Sequence, residues 1–238
     1  MKINYNYSPN YDTQKRSVKI IVIHYTGMQS ERKSIKKLCD PKSKVSCHYL
    51  LGARGRIVKM VHEKHIAWHA GKSCWAKYKN LNSNSIGIEL VNKGHSLGYH
   101  NFNKMQILAL VSLCKRIIKR HRIRKKNILG HSDIAPLRKI DPGEKFPWEY
   151  LAKNKIGIWH DYKLGFLKKF RKKNLLDKKE KIEFIKNLRK IGYCIYLGNN
   201  QILSKTVRAF QRHFRKELIN GSIDKECFLI AENLTKKL

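Results

Sequence analysis

At 238 residues the chain can bury a sizeable core, as one large domain or as a medium domain with a small one. Lys and Arg outnumber Asp and Glu 52 to 17, for a net charge of +35. This suits a polyanion or acidic polymer as partner, but the excess is mostly Lys spread from end to end, without the localised patch on a known motif that marks a specific nucleic-acid binder. No run reaches the ~18 apolar residues of a membrane span, and "MKINYNYSPNYDTQKRSVK" at the N-terminus has no apolar stretch of the kind a secretory signal carries.

Residues 18–26, "VKIIVIHYT", are a β-branched apolar run expected to form a strand buried on both faces, and it ends in His24. "CHYLLG" and "RIVKMV" flank "ARGR" and predict a hairpin with Gly55 in the turn. "SIGIELV" (85–91) predicts a third buried strand carrying a single acid, Glu89. Between 103 and 121, Met105, Leu108, Val111, Cys114 and Ile118 keep helical spacing behind Asn103 as N-cap. "NILGH" is a short strand that delivers His131. Strands mixed with helices imply an α/β domain around a central mixed sheet, residues 1–160.

The texture changes after "IGIWHDYK". Apolar residues recur at three and four: Leu164, Leu167 and Phe170; Ile182, Ile185 and Leu188; Val207, Phe210 and Phe214; Phe228, Ile230 and Leu234, with breaks at Gly192, Gly198 and Gly221. Residues 161–238 therefore predict a small all-α domain, whose core would be marginal alone and is expected to dock on the first.

The six Cys, at 39, 47, 74, 114, 194 and 227, show no tight spacing, so neither a disulfide framework nor a zinc knuckle is expected and a reducing compartment is favoured. His24 and His131 at strand ends, with Asp141 in a Pro-bounded loop, make a three-ligand set that leaves a fourth position to water, as in catalytic zinc sites. By spacing alone each His reads more readily as a hydrogen-bonded core or surface residue than as a ligand. Glu89 inside an apolar strand needs either a buried ion pair or a role as a base beside a metal-bound water.

"IVIHYT", "SCHYLLGARGRIVKMV", "AWHAG", "NLNSNSIGIELVN" and "GHSDIAPLRKIDPGEKFPW", in this order over about residues 18 to 150, resemble the zinc-dependent N-acetylmuramoyl-L-alanine amidases of the type-2 family, in its AmiD and AmpD branches. That family shares its fold with peptidoglycan recognition proteins and T7 lysozyme. The resemblance implies His24, His131 and Asp141 as ligands of Zn2+, Glu89 as catalytic acid and base, and Lys139 as the cation at the reacting carbonyl. It suggests substrate contacts for His48, Tyr49, Trp68, His69 and Arg138, and a place on the peptide channel for Asn82 and Asn84. "VRAFQRHFR" (207–215) resembles a block of small helical peptidoglycan-binding domains.

The implied reaction is hydrolysis of the bond between N-acetylmuramic acid and L-alanine in peptidoglycan or muropeptides, in cell-wall turnover or recycling. The rival is a non-catalytic recognition module on the same fold, against which the complete set of His24, His131, Asp141 and Glu89 speaks. The expected state is a monomer without specific nucleic acid. For the compartment, the scattered thiols and the N-terminus point to the cytoplasm, and the wall-binding-like helices to an exported enzyme in the periplasm or outer membrane.

Overall fold

The computed structural model describes residues 3–171, 177–195 and 200–238. The strands are β1 (Ile3–Tyr5), β2 (Tyr11–Asp12), β3 (Ile20–Tyr25), β4 (Tyr49–Leu51), β5 (Ile57–Lys59), β6 (Ile66–Ala67), β7 (Cys74–Trp75), β8 (Tyr78–Lys79), β9 (Ser85–Leu90) and β10 (Ile128–Gly130). The helices are α1 (Glu31–Cys39), α2 (Lys104–His121), α3 (His131–Ile134), α4 (Trp148–Lys153), α5 (Leu164–Lys168), α6 (Lys178–Ile191), α7 (Asn200–Phe214) and α8 (Lys225–Lys236).

Six strands form one mixed sheet in the order β1-β5-β4-β9-β3-β10. The strand at 18–26, the hairpin around Gly55, the strand of Glu89 and "NILG" all form where their patterns predict, whereas α1 and the short ribbons β2–β6 and β7–β8 are not among the elements expected from sequence. The central pairs β4–β9, β9–β3 and β3–β10 are parallel, and only β4–β5 is antiparallel within this sheet. The C-terminal ends of β3, β9 and β10 therefore lie together, at the edge where parallel sheets hold ligands.

Alternation along β3 divides the core. Ile21 and Ile23 face Ile107, Leu110, Cys114 and Ile117 of α2, while Ile20 and Val22 face a second cluster that continues through Leu129 and Ile134 into Phe184, Leu188, Phe210 and Ile230 of the C-terminal helices. Those helices thus share an unbroken apolar core with one face of the sheet.

The buried stripe of α2 differs from the expected one. Val111 and Cys114 are buried as expected, but Met105 and Leu108 are 58% and 40% exposed, and Ile107, Leu110 and Ile117 complete the buried face. A strict spacing of three falls about 60° short of a full turn at each step, so a run built on it drifts off the buried face; mixed steps of three and four stay on it. Asn103 does cap the helix, its Oδ1 accepting from the Met105 amide at 2.8 Å. In α6 the same slip occurs: Ile182 is exposed, and Phe184, Leu188 and Ile191 pack inward. Leu164 is likewise exposed, with Leu167 the buried residue of α5. Gly198 lies outside the described residues.

The thiol reading is corrected as well. Cys74 of β7 and Cys194, just beyond α6, are joined by a disulfide across 120 residues of sequence with Cα atoms 6.0 Å apart, leaving Cys39, Cys47, Cys114 and Cys227 free. Sequence spacing cannot show such a pair, because only the docking of α6 against β7 brings the two together. Beside it Gly192 packs on Trp75, where a Cβ would lie 2.4 Å from the indole, and its carbonyl accepts from the Ala76 amide at 2.7 Å.

Candidate metal centre

His24 follows Ile20 and Val22 on the same face of β3 and ends that strand's buried run. Parallel register sets it beside Glu89 of β9, and Gly130 of β10 lies opposite Ile23, so His131 emerges at the level of His24. The loop after α3 returns Asp141 to the same point. His24 Nδ1 is 3.0 Å from both His131 Nδ1 and Asp141 Oδ2, and the last two are 3.2 Å apart. All three residues are buried, and their donor atoms form a group able to hold a metal ion.

The outward-facing nitrogens explain why these donors point inward. His131 Nε2 donates to the Ala70 carbonyl at 3.1 Å, leaving a lone pair on Nδ1. His24 Nε2 lies 3.0 Å from His69 Nδ1, His69 Nε2 lies 3.1 Å from Ser85 Oγ, and Ser85 Oγ donates to the Leu81 carbonyl at 2.6 Å. A carbonyl only accepts, so Ser85 donates to it and accepts from His69, which in turn accepts from His24; His24 Nδ1 then also carries a lone pair. Burial, reinforced by His131, pushes the His24 imidazole down to about 4, which keeps it neutral as a ligand must be. Burial pushes the Asp141 carboxyl up, but the two His outweigh this and hold it well below the usual carboxylate range.

Glu89 has one carboxylate oxygen, Oε2, that is enclosed without a hydrogen-bond partner among the described residues. Burial and then the neighbouring Asp141 raise its carboxyl to about 8, against the opposing pull of Lys139. Lys139 is half-buried, and its charge acts on both His24 and Glu89. The arrangement can therefore hold a cation on three donors, with a proton-accepting carboxylate and a cation at its edge.

The structure places the remaining predicted residues differently. His48 is fully buried: its Nδ1 accepts from the Gly87 amide at 3.0 Å, and its Nε2 faces Arg16 and the His65 carbonyl. Tyr49 points to the other face of the sheet, because its neighbour Leu50 pairs with Glu89 and side chains alternate; its hydroxyl donates to Glu63 at 2.5 Å. Where they stand, both side chains are buried and engaged within the protein itself. Both ring nitrogens of His69 are engaged, by His24 and by Ser85. The ring packs so close over β9 that a Cβ on Gly87 would lie 2.4 Å from it.

Arg138 is occupied too, donating to the Ala70 carbonyl and, at 2.8 Å, to that of Lys72, which fixes the segment that His131 binds. Trp68 is half-buried and gives its indole N–H to Asp12 at 2.9 Å. Asn82 Oδ1 accepts from the amides of His69 and Ala70, and Asn84 donates to the Ser17 carbonyl, so both serve the backbone. Ser85 was not foreseen, since a Ser at the start of a strand carries no signal. Nor was Tyr99, whose hydroxyl donates to the Pro142 carbonyl at 2.6 Å and braces the Asp141 loop.

Comparison with known proteins agrees with this geometry. The profile of a family described as N-acetylmuramoyl-L-alanine amidase matches residues 14–144. The N-acetylmuramoyl-L-alanine amidase AmiD of Escherichia coli is 39% identical over 235 residues, covering 92% of this chain and 83% of AmiD. The 1,6-anhydro-N-acetylmuramyl-L-alanine amidase AmpD of Haemophilus influenzae is 34% identical over 61% of this chain and 88% of its own length. The structure of Escherichia coli AmiD with anhydro-N-acetylmuramic acid-L-Ala-D-gamma-Glu-L-Lys superposes with a TM-score of 0.81 at 36% identity, over 94% of this chain and 91% of that one. AmpDh3 of Pseudomonas aeruginosa, in complex with anhydromuramic pentapeptide, does so with a TM-score of 0.82 at 33% identity, over 100% and 98%. The chain belongs to the N-acetylmuramoyl-L-alanine amidase family.

Proposed function

We propose that the chain hydrolyses the amide between N-acetylmuramic acid and L-alanine in peptidoglycan or its muropeptide fragments, with Zn2+ held by His24, His131 and Asp141. The observation that carries the reading is the convergence of two imidazoles and a carboxylate beside the unpartnered Oε2 of Glu89. The donor triangle suits zinc: bonds of ~2.0–2.1 Å in a tetrahedral site imply ligand atoms about 3.3 Å apart, close to the 3.0, 3.0 and 3.2 Å found.

Zinc, when bound, supplies a Lewis acid for the carbonyl and lowers the pKa of water. Glu89 takes the proton of the attacking water and returns it to the departing amine nitrogen. In the metal-free chain burial and Asp141 raise its pKa to about 8, and the charge of a bound cation would lower it toward the range in which it accepts that proton. The Lys139 ammonium faces the substrate oxygen as it gains charge. His69, with Ser85 behind it, and Arg138, through Ala70, keep the ligand rings aligned.

In this reading residues 1–160 carry the chemistry and residues 161–238 are a helical peptidoglycan-binding-like unit, the protein acts as a monomer, and the positive charge favours an anionic wall polymer over any specific nucleic acid. None of the helices described is long and apolar enough to cross a membrane. The Cys74–Cys194 bridge supports work in an oxidising compartment such as the periplasm, reversing the weight the thiols carried in sequence. Alkylation of protein isolated from its own cells, before and after reduction, tests that: two extra sites on reduction are expected, and none returns the enzyme to the cytoplasm.

The activity is tested by digesting a muramyl peptide with and without chelator and weighing the products. Release of a stem peptide beginning at L-Ala, lost with chelator and restored by zinc, is expected. Zinc-loaded protein that binds the substrate but leaves it intact is instead a recognition module.

A further inference from the structure

His131 is the first residue of α3, a helix of only four residues. One turn cannot hold itself in water, because nucleating a helix costs more than a single turn returns. The orientation of this ligand must therefore be fixed from outside. Asp133, two residues on and 1% exposed, is where the ties meet. Its Oδ2 accepts from the Gly130 amide at 2.7 Å and from His213 Nδ1 at 2.7 Å, and its Oδ1 accepts from the Tyr193 hydroxyl at 2.7 Å. The first bond closes the turn on itself; the other two come from the C-terminal region, Tyr193 just beyond α6 and His213 on α7.

Both of those donors are held in turn. Tyr193 packs edge-on against Trp75 at 4.9 Å, beside the Cys74–Cys194 bridge. His213 lies flat on Trp148, with ring centroids 3.8 Å apart at 16°. The same turn also reaches the third ligand, since the Ser132 amide donates to the Asp141 carbonyl at 2.9 Å and a Cβ on Gly130 would lie 2.7 Å from the Pro142 ring.

We infer that Asp133, Tyr193 and His213 are positioning residues for the metal: through them the C-terminal helical region aims His131 and Asp141, and so sets the affinity of the centre. This rests on the reading that His24, His131 and Asp141 hold zinc. It gives residues 161–238 a part in building the active site that is separate from any hold on the wall. Two strong bonds across the seam, buried and directed at one carboxylate, are more than docking requires, because the apolar contacts of Leu188, Phe210 and Ile134 already supply adhesion.

The test is a zinc titration of the full-length protein against a chromophoric chelator, paired with the melting temperature of each metal-free variant. Asp133→Asn, His213→Ala and Tyr193→Phe are compared with Leu234→Ala, which opens the same helical core without touching the network. Changing the groups that orient a metal ligand commonly costs ~10- to 100-fold in metal affinity. Asp133→Asn and His213→Ala are expected in that range and Tyr193→Phe nearer threefold, with His213→Gln recovering part of the loss. Leu234→Ala should melt earlier yet bind zinc as the native chain does. Should Asp133→Asn not fold, Tyr193→Phe, which removes one hydroxyl at nearly constant volume, decides the matter. Zinc affinities within a factor of 1.5 for every network variant that folds overturn the proposal and leave the zinc reading standing. A native chain that takes up no zinc overturns both.

Discussion

Two acids, Glu63 and Glu89, are drawn into the same fold, and they are treated in opposite ways. Glu63 lies toward the N-terminal ends of β3 and β9, accepting from Tyr49 at 2.5 Å, Arg120 at 2.5 Å and His121 at 2.6 Å. Burial pushes its carboxyl up, but those three donors outweigh burial and bring it down to about 2. Glu89 stands at the C-terminal ends, and the enclosed Oε2 has no donor among the described residues; burial and Asp141 lift it to about 8. A fold that needs only stability satisfies the charges it buries. An acid left unsatisfied beside a cluster of metal donors is there for its proton, and this contrast separates the working end of the sheet from the structural one.

The largest effect expected from breaking the contrast is on turnover. Glu89→Gln should lower kcat by ~10²- to 10⁴-fold, the range of a lost general acid and base, while zinc content by metal analysis is unchanged. Rates within tenfold of native would make Glu89 a structural carboxylate after all.

Next comes Lys139→Met, expected to lower kcat by on the order of 100-fold, as for other lost donors at a developing oxyanion. Because the Lys139 charge holds Glu89 down, the same variant in metal-free form should raise the Glu89 titration further, followed by NMR of the side-chain carboxyl. A Glu89 titration that does not move would place Lys139 away from the site.

At the other end, Glu63→Gln should leave kcat within twofold and cost about 1–3 kcal/mol of stability through donors left without a charged acceptor. Its folded pKa of about 2 lies below the ordinary 4.5, so its contribution is complete above pH 4.5 and lost as the pH falls toward 2. Denaturant unfolding of the variant should lack that acid limb; a limb that persists in full belongs to other carboxylates.

The smallest effect runs the other way. In chelator-treated protein the folded Glu89 keeps its proton up to about pH 8 while the unfolded chain releases it near 4.5, so native stability falls as the pH rises across that interval. Glu89→Gln removes this fall, and the metal-free variant should be the more stable protein at pH 8. Identical slopes for the two proteins would show that Glu89 is paired in solution.

Taken alone, the sequence determined the strands that carry His24 and Glu89 and the one that leads into His131, the hairpin at Gly55 and the Asn103 cap, because β-branched runs, turn glycines and caps are local signals. It also held the residues that cluster as His24, His131 and Asp141, through motifs kept in register. Periodicity alone placed Val111, Cys114 and Leu188 correctly but misjudged Met105, Leu108 and Ile182, since a spacing of three reads as helical without saying which face is covered. What His48, Tyr49, His69 and Arg138 do was decided only by tertiary structure: strand parity turned Tyr49 away, and hydrogen bonds from distant segments occupied the other three. The same holds for the Cys74–Cys194 bridge and the Asp133 network, whose partners lie 60 to 120 residues apart. Such contacts leave no local pattern, because they exist only once α6 and α7 have packed against the sheet.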